Sequence, residues 1–394
     1  MGDFFVEVDH AQISKHKKQV PGDVFLSQKA ESDSRIVSVL ADGLGSGIKA
    51  NVLATLTTTI SVNLTSNSVD IKDTAETIMK TLPECKERKI SYSTFTIIDI
   101  DLKENLVEIM EFDNPGFMLF RDEERRSLDK KKIHMDNPIG TSQTLYYSQF
   151  NIQLGDRLVV FSDGISQAGI GNKNFALGWP EEEIVSTIKN IMSTTNNISA
   201  RKLSSFLVNK AHEIDGKEAK DDITSACFYF RRPRRTLLVT GPPVDESDDY
   251  KIQRAIEGFQ GNKIICGGTT SKIYARLADK EINVNLESID EDIPPDSEIE
   301  GIDLVTEGML TMSRTIEFLQ SGVPEEISSN HPGYKLYNRL KNSDYIKFVV
   351  GTKINEVHQN PNIPEELGLR KNVVKKMTEL LREKYLKKVE VEYI

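Results

Sequence analysis

The sequence predicts an α+β protein in two parts. The first, up to about residue 230, reads as strands interrupted by a few helices. The second is a smaller three-layer α/β domain on a largely parallel sheet. Three observations carry this reading. Short runs rich in β-branched and aromatic residues, separated by glycine and proline turns, dominate the first part. After Arg231-Arg232-Pro233-Arg234-Arg235 the pattern changes to strands alternating with helices. Three acidic segments stand where strands should end: Ala41-Asp42-Gly43-Leu44-Gly45-Ser46-Gly47, Phe161-Ser162-Asp163-Gly164-Ile165-Ser166 and Lys220-Asp221-Asp222-Ile223-Thr224.

In the first part, Ile36 to Leu40 is β-branched and apolar, as a largely buried strand is. Beyond its glycine-rich turn, Ile48, Val52, Leu56, Ile60 and Leu64 recur every four residues and predict a helix with one apolar stripe toward the core. A second helix is expected over Asp70 to Leu82. Ser93 to Ile100 and Leu106 to Phe112 read as a hairpin around Lys103-Glu104-Asn105. Asn114-Pro115-Gly116 is a turn, and Phe117 to Arg121 continues as a strand. Thr144 to Ile152 and Arg157 to Phe161 are strands, Glu181 to Met192 and Ser199 to Ile214 are helices, and Ile223 to Phe230 is a last strand.

The arginine-rich segment reads as an exposed junction, which sets domains at 1–231 and 236–394. In the second, Thr236 to Thr240, Lys263 to Cys266, Ile302 to Val305 and Tyr345 to Val350 are strands. Tyr250 to Phe259, a stretch ending at Leu277, and Met309 to Leu319 are helices. Glu287 to Glu300 reads as an exposed loop. Leu369, Val373, Met377, Leu380 and Leu381 line one face of a closing helix before a final strand, Val389 to Ile394.

Composition excludes several classes of function. A net charge of -10 argues against a general nucleic-acid binder and fits a protein that collects divalent cations. The cysteines Cys85, Cys227 and Cys266 form no CxxC pair and no even framework, so neither a disulfide scaffold nor structural zinc is expected. Cys85 and Cys227 read as buried apolar residues, and His10, His16 and His134 as surface or turn residues. The histidines lack ligand spacing. No apolar run is long enough to span a bilayer, and the start of the chain carries neither a signal peptide nor, with Val6 at the sixth position, a myristoylation signal. The expectation is a cytoplasmic protein with no membrane or nucleic-acid partner.

The acidic segments carry the chemistry. Magnesium or manganese takes carboxylate oxygens, a backbone carbonyl or two, and retained waters. Aspartates at strand ends supply the first, and a glycine immediately after lets the backbone approach, as in Asp42-Gly43 and Asp163-Gly164. Two such ions about 3.5–4 Å apart acidify a bridging water and neutralise phosphate charge during in-line displacement. An isolated Asp-Gly is usually a hairpin turn, and Asp221-Asp222 alone reads equally well as a solvated turn. The force lies in the combination of order, flanking strands and the helix behind the first turn.

That combination resembles the metal-dependent protein phosphatase family, in its bacterial branch typified by the sporulation stage II E phosphatase. Pro21-Gly22-Asp23, the Asp42 turn, the Asp163 turn and Asp221-Asp222-Ile223-Thr224 occur in the family's order. Asn114-Pro115-Gly116, Pro138-Ile139-Gly140 and Leu154-Gly155-Asp156 also look like the branch. The resemblance implies a β-sandwich flanked by helices, a centre of two Mn²⁺ or Mg²⁺ ions, and hydrolysis of phosphoserine or phosphothreonine on a phosphorylated signalling protein. Carried over by position, Asp42 would bridge both ions and Gly43 would bind one through its carbonyl. Asp163 and Asp221 would hold the other, and Asp23 would act through water. Leu44 stands near the family's histidine acid, no arginine matches its phosphate grip, and no sensor domain precedes the phosphatase-like part. The alternative is a phosphatase-like scaffold or ligand-binding regulator with little activity.

In the second domain, Gly267-Gly268-Thr269-Thr270-Ser271 lies between a strand and a helix. It lacks the lysine of a P-loop. It reads either as an anion site at a helix N-terminus or as a plain capping turn with Thr269 or Thr270 as N-cap. With Thr240-Gly241-Pro242-Pro243 and Thr306-Glu307-Gly308 it predicts loops that face one crevice for a small-molecule or nucleotide ligand.

Overall fold

Burial at the two faces of each sheet decides the layers. The computed structural model describes residues 4–30, 34–81, 93–136, 142–172, 175–195, 197–285, 293–353 and 365–394. Cys85, the 138–140 turn and the first part of the 287–300 segment lie outside them. The chain divides into two compact units, Met1–Arg232 and Pro233–Ile394.

The first unit holds two antiparallel sheets. One has six strands, in the order β2 (Asp23–Lys29), β3 (Arg35–Gly43), β4 (Ser93–Asp101), β5 (Leu106–Phe112), β9 (Ser142–Asn151) and β8 (Lys131–Asp136). The other has five, in the order β1 (Phe5–Ile13), β11 (Ile223–Arg231), β10 (Arg157–Phe161), β6 (Met118–Arg121) and β7 (Glu124–Arg126). The sheets pack face to face over Leu40, Ile98, Ile109, Leu158, Val160, Phe228 and Phe230. Helices α1 (Ile48–Ser66) and α2 (Ile71–Thr81) cover the outer face of the six-stranded sheet. The turn α3 (Asp163–Ser166) with α4 (Glu181–Thr194) and α5 (Ala200–Ile214) covers the other. This is the helix-flanked β-sandwich that the resemblance implies. Neither β1 nor β2 is marked in the sequence pattern, because both are only partly buried and β1 pairs with β11, far along the chain.

The face that α1 buries corrects the sequence reading. Ile48, Val52 and Leu56 are 71%, 50% and 48% exposed, whereas Ala50, Ala54, Thr57, Thr58, Ser61 and Val62 are buried. The helix lies close on β3: a Cβ on Gly43 would stand 2.0 Å from the carbonyl oxygen of Ala50. So close an approach admits small residues only. The buried hydroxyls are satisfied within the helix, Thr57 donating to the Leu53 carbonyl at 2.8 Å and Ser61 to that of Thr57 at 2.6 Å.

The second unit is built on a seven-stranded sheet, in the order β14 (Asn283–Val284), β15 (Ser297–Glu298), β16 (Leu304–Thr306), β13 (Asn262–Cys266), β12 (Arg235–Thr240), β17 (Tyr345–Val350) and β18 (Lys388–Tyr393). The run from β16 to β18 is parallel. Helices α6 (Tyr250–Glu257) and α7 (Gly268–Ala278) pack on one face. On the other lie α8 (Met309–Ser321), α9 (Pro332–Lys341) and α10 (Glu365–Glu383). Three details differ from expectation. In α10, Met377 and Leu381 are buried as expected and Val373 and Leu380 are partly buried, but Val374 joins the buried face and Leu369 is exposed. Ile293, Asp296 and Ile299 are buried within the segment read as a loop. Arg231 is buried too, its Nε bonding Glu7 at 2.9 Å and its guanidinium 4.4 Å over the Phe5 ring.

Replacing Ile48, Val52 and Leu56 by Lys, Gln and Gln should change stability by less than about 0.5 kcal/mol per site. Ala54→Leu should cost about 1–3 kcal/mol by overpacking α1 against β3. Urea denaturation compares them, and a larger loss in the triple variant would refute this orientation of the helix.

Candidate metal centre

Strand alternation builds the site. The even-numbered residues of β11 face the opposite sheet, and Ala226, Phe228 and Phe230 belong to the intersheet core. The same row continues to Thr224 and then Asp222. On β10 the row Leu158, Val160 ends at Ser162. On β2 and β3, Phe25 and Leu40 face the core, and the next inward positions toward that end are Asp23 and Asp42. Four inward rows thus turn from apolar to polar at one end of the sandwich.

Asp23 and Asp42 are register partners across β2 and β3, which puts their side chains on one face with Cβ atoms about 4.5–5.5 Å apart. Thr224 Oγ1 donates to Asp23 Oδ2 at 2.6 Å, linking the two sheets. Gln12 Nε2 in turn donates to Thr224 Oγ1 at 2.9 Å and to the Asp23 carbonyl at 3.0 Å. Asp163 opens α3 and accepts from Gln167 Nε2 at 2.7 Å. Asp221 lies 3.5 Å from Lys15 Nζ.

Asp222 does something different from its neighbour. It is 3% exposed, and its Oδ1 and Oδ2 accept from the Lys15 and Gly22 amides at 2.8 and 2.7 Å. It therefore ties the β1–β2 loop to the start of β11. The two glycines are fixed by close approach. A Cβ on Gly43 would strike Ala50, and one on Gly164 would stand 2.1 Å from the Asp222 carbonyl oxygen. Asn114 braces β3 from behind, donating to the Leu40 carbonyl at 3.3 Å and to Thr96 Oγ1 at 3.1 Å.

The electrostatics favour a cation. Burial, followed by the charges of Asp23, Asp163 and Asp221, raises the Asp42 carboxyl to about 9. Burial raises Asp23 to about 7, against the hydrogen bonds from Ser162 and Thr224 and with Asp222 and Asp163 adding to the rise. Asp163 is raised by burial and then by Asp221, with Lys15 and Gln167 offsetting part. Carboxyls that hold protons so tightly offer the same stabilisation to a divalent ion.

The four sequence-predicted aspartates, from four separate segments, thus come within electrostatic reach of one another. The Gly43 carbonyl oxygen faces Gly22, 3.6 Å from where a Cβ there would stand. Among the described residues no three acidic, His or Cys side chains close to the spacing that holds a stripped ion. The donor set fits a hard cation that keeps most of its water and takes one or two carboxylates plus a carbonyl. Residues absent from the sequence-based site are Asp222, Ser162, Thr224, Gln12 and Lys15. Period-two alternation from Phe230 and Val160 would have found the first three. Gln12 and Lys15 arrive by the pairing of β1 with β11, which no local pattern announces.

Comparison with known proteins adds the lineage. The phosphatase domain of the cell fate determinant SpoIIE from Bacillus subtilis is 16% identical, with a TM-score of 0.45 over 59% of this chain and 95% of that one. The PP2C phosphatase domain of the same protein with a fragment of its regulatory domain is 18% identical, with a TM-score of 0.48 over 58% of this chain and 64% of that one. RsbX in complex with magnesium is 18% identical, with a TM-score of 0.38 over 57% and 95%. No curated protein matches. A family model for Stage II sporulation protein E (SpoIIE) matches residues 32–231, just over half of the 394-residue chain, across the segments that carry Asp42, Asp163 and Asp221. The chain belongs to the Stage II sporulation protein E family.

Proposed function

We propose that the first unit is a metal-dependent protein serine/threonine phosphatase acting on a phosphorylated signalling protein in the cytoplasm. The second unit regulates it or senses a ligand. One observation carries the reading: carboxylates from four chain segments converge in a mouth between two sheets, where burial and neighbouring charge raise the affinity of Asp23, Asp42 and Asp163 for positive charge. Two Mn²⁺ or Mg²⁺ ions bound there would supply an acidified water and neutralise phosphate charge.

The chain's own residues then have distinct tasks. Asp42 and the Gly43 carbonyl would hold one ion, with Asp42 reaching the second. Asp163 and Asp221 would hold that second ion, and Asp23, fixed by Thr224, would bond a metal-bound water. Gln167 orients Asp163, and Lys15 puts a positive charge beside the cluster where a substrate phosphate would dock. Family membership supports the phosphatase class. A phosphatase-like scaffold with little activity would need the same carboxylates only for folding.

p-Nitrophenyl phosphate and a phosphoserine peptide should both be hydrolysed with Mn²⁺ or Mg²⁺. Asp42→Ala and Asp163→Asn should each lower kcat by about 100-fold or more. A protein inert with either ion between pH 6 and 9 would favour the scaffold. Asp221 and Asp222 should separate by role. Asp221→Ala should lose activity while keeping its melting temperature. Asp222→Ala strands two amide donors and should cost about 2–4 kcal/mol of stability.

The carboxyl shifts give a pH dependence. Unfolded aspartate titrates near 4. Between there and about 7 for Asp23 and about 9 for Asp42 the folded state binds more protons than the unfolded one. Stability in chelator should therefore fall as pH rises through that window. A divalent cation should raise the melting temperature, and by more at pH 8 than at pH 5. A melting temperature indifferent to cation across the range would contradict the assignment.

A further inference from the structure

The second unit's sheet sends helices to opposite faces at two points: β12 and β17 lead to α6 and α10, and β13 and β16 lead to α7 and α8. Such divergences, beyond the carboxyl ends of strands, are where doubly wound sheets take ligands. At the first, the described strand ends pack tightly together. Arg370 Nη1 donates to the Gly351 and Lys353 carbonyls at 3.1 Å, and a Cβ on Gly351 would stand 2.2 Å from the carbonyl oxygens of Gly241 and Pro242. Among the described residues, this packing fills the space beside Gly241.

The second divergence is open and contains two glycine-led helix starts of different backbone conformation, Gly267 at φ 134° and ψ 124° and Gly308 at φ -77° and ψ -86°. Gly267 is the N-cap of α7 and Gly308 that of α8, and each helix has a threonine at its third position, Thr270 and Thr311. The two turns adjoin, a Cβ on Gly308 lying 3.4 Å from Gly267 Cα. Both threonines are fully buried, and neither hydroxyl has a hydrogen-bond partner. Neither Thr269 nor Thr270 caps α7, contrary to expectation.

The residue ahead of each N-cap distinguishes them. Before α8 it is Glu307, whose Oε2 accepts from the Leu310 amide at 3.0 Å. That helix carries its own anion over its positive end. Before α7 it is Cys266, whose sulfur accepts from the Thr306 hydroxyl at 3.4 Å. The first turn of α7 has no acidic residue and no side-chain cap. Gly268 and Thr269 there are exposed, and Thr270 Oγ1 is aimed at the N-cap, 3.2 Å from where a Cβ on Gly267 would stand. At α7, unlike at α8 where Glu307 sits over the helix start, a buried hydroxyl without a partner coincides with an exposed start that no acidic side chain covers, a combination that suits an oxyanion.

We propose that the first turn of α7 binds the phosphoryl group of a small anion, either inorganic phosphate or a phosphate ester. The amides of Gly268, Thr269 and Thr270 and the Thr270 hydroxyl donate to its oxygens, as the Leu310 amide donates to Glu307. The site gives chemical content to the ligand-sensing reading of the second unit. It stands whether or not the first unit is a phosphatase.

The test is calorimetric titration of the full-length Asp42→Ala protein in chelator, so that the metal centre contributes nothing. The probes are inorganic phosphate and adenosine 5′-monophosphate. One site per chain is expected, and tighter binding of the nucleotide identifies an ester as the ligand. Thr270→Val should weaken binding about tenfold or more. Gly268→Glu places a carboxylate in open space at the same turn. It should abolish binding while holding or raising the melting temperature, which separates loss of the site from misfolding. Absence of binding to both probes, binding unchanged in both variants, or binding seen only when Asp42 is intact would overturn the proposal.

Discussion

The first unit depends on a conflict held in place by its core. Asp23, Asp42, Asp163 and Asp221 repel one another, and water that would screen them is partly excluded. They stay together because the rows of side chains beneath them, from Leu40, Val160, Phe228 and Phe25, are packed between two sheets. Burying each such side chain contributes about 1.5–3 kcal/mol, so a few layers of core outweigh the repulsion at the rim. The hydrogen bond from Thr224 to Asp23 and the clamp of Asp222 on two loop amides then fix the mouth's width. Positive charge is what such a rim lacks, and this is why its chemistry reads as that of a cation site.

The same sandwich explains what the sequence could show. Alternation and turn residues disclosed most central strands, since a strand buried on one or both faces has little freedom in composition. The aspartates were legible only in combination, since each Asp-Gly alone is an ordinary turn and it is their order and flanking strands that set them apart. The second unit's parallel strands were legible because each is a short apolar run followed by a helix. β1 and β2 were not, because half-buried edge strands accept polar residues. Arg231 was read as surface because its partners, Glu7 and Phe5, lie on β1.

The helix α1 shows a different limit. Hydrophobicity marked Ile48, Val52 and Leu56, yet the core takes the opposite, smaller face. Distance decided the matter. With the backbone of Ala50 against Gly43, the space between helix and sheet holds methyl and hydroxyl groups only. A glycine before a helix whose one face is Ala, Thr and Ser is the sequence mark of such contact. Here it also serves the site, since it brings the start of α1 to the end of β3, where Asp42 stands.

The two units present opposite polarities to solutes. At the sandwich mouth a phosphate would meet carboxylates, so in the proposed reading it would approach only behind cations that offset them. At the site proposed on α7, the donors would be backbone amides and a hydroxyl, which need no ion and do not titrate in the physiological range. A chelator therefore separates the two without any change to the chain. The helices α7 and α8 also start differently: Glu307 accepts from the Leu310 amide ahead of α8, Cys266 stands ahead of α7, and the two N-cap glycines differ in backbone conformation. An anion at α7, as proposed, would place at that helix start the negative charge that Glu307 supplies at α8.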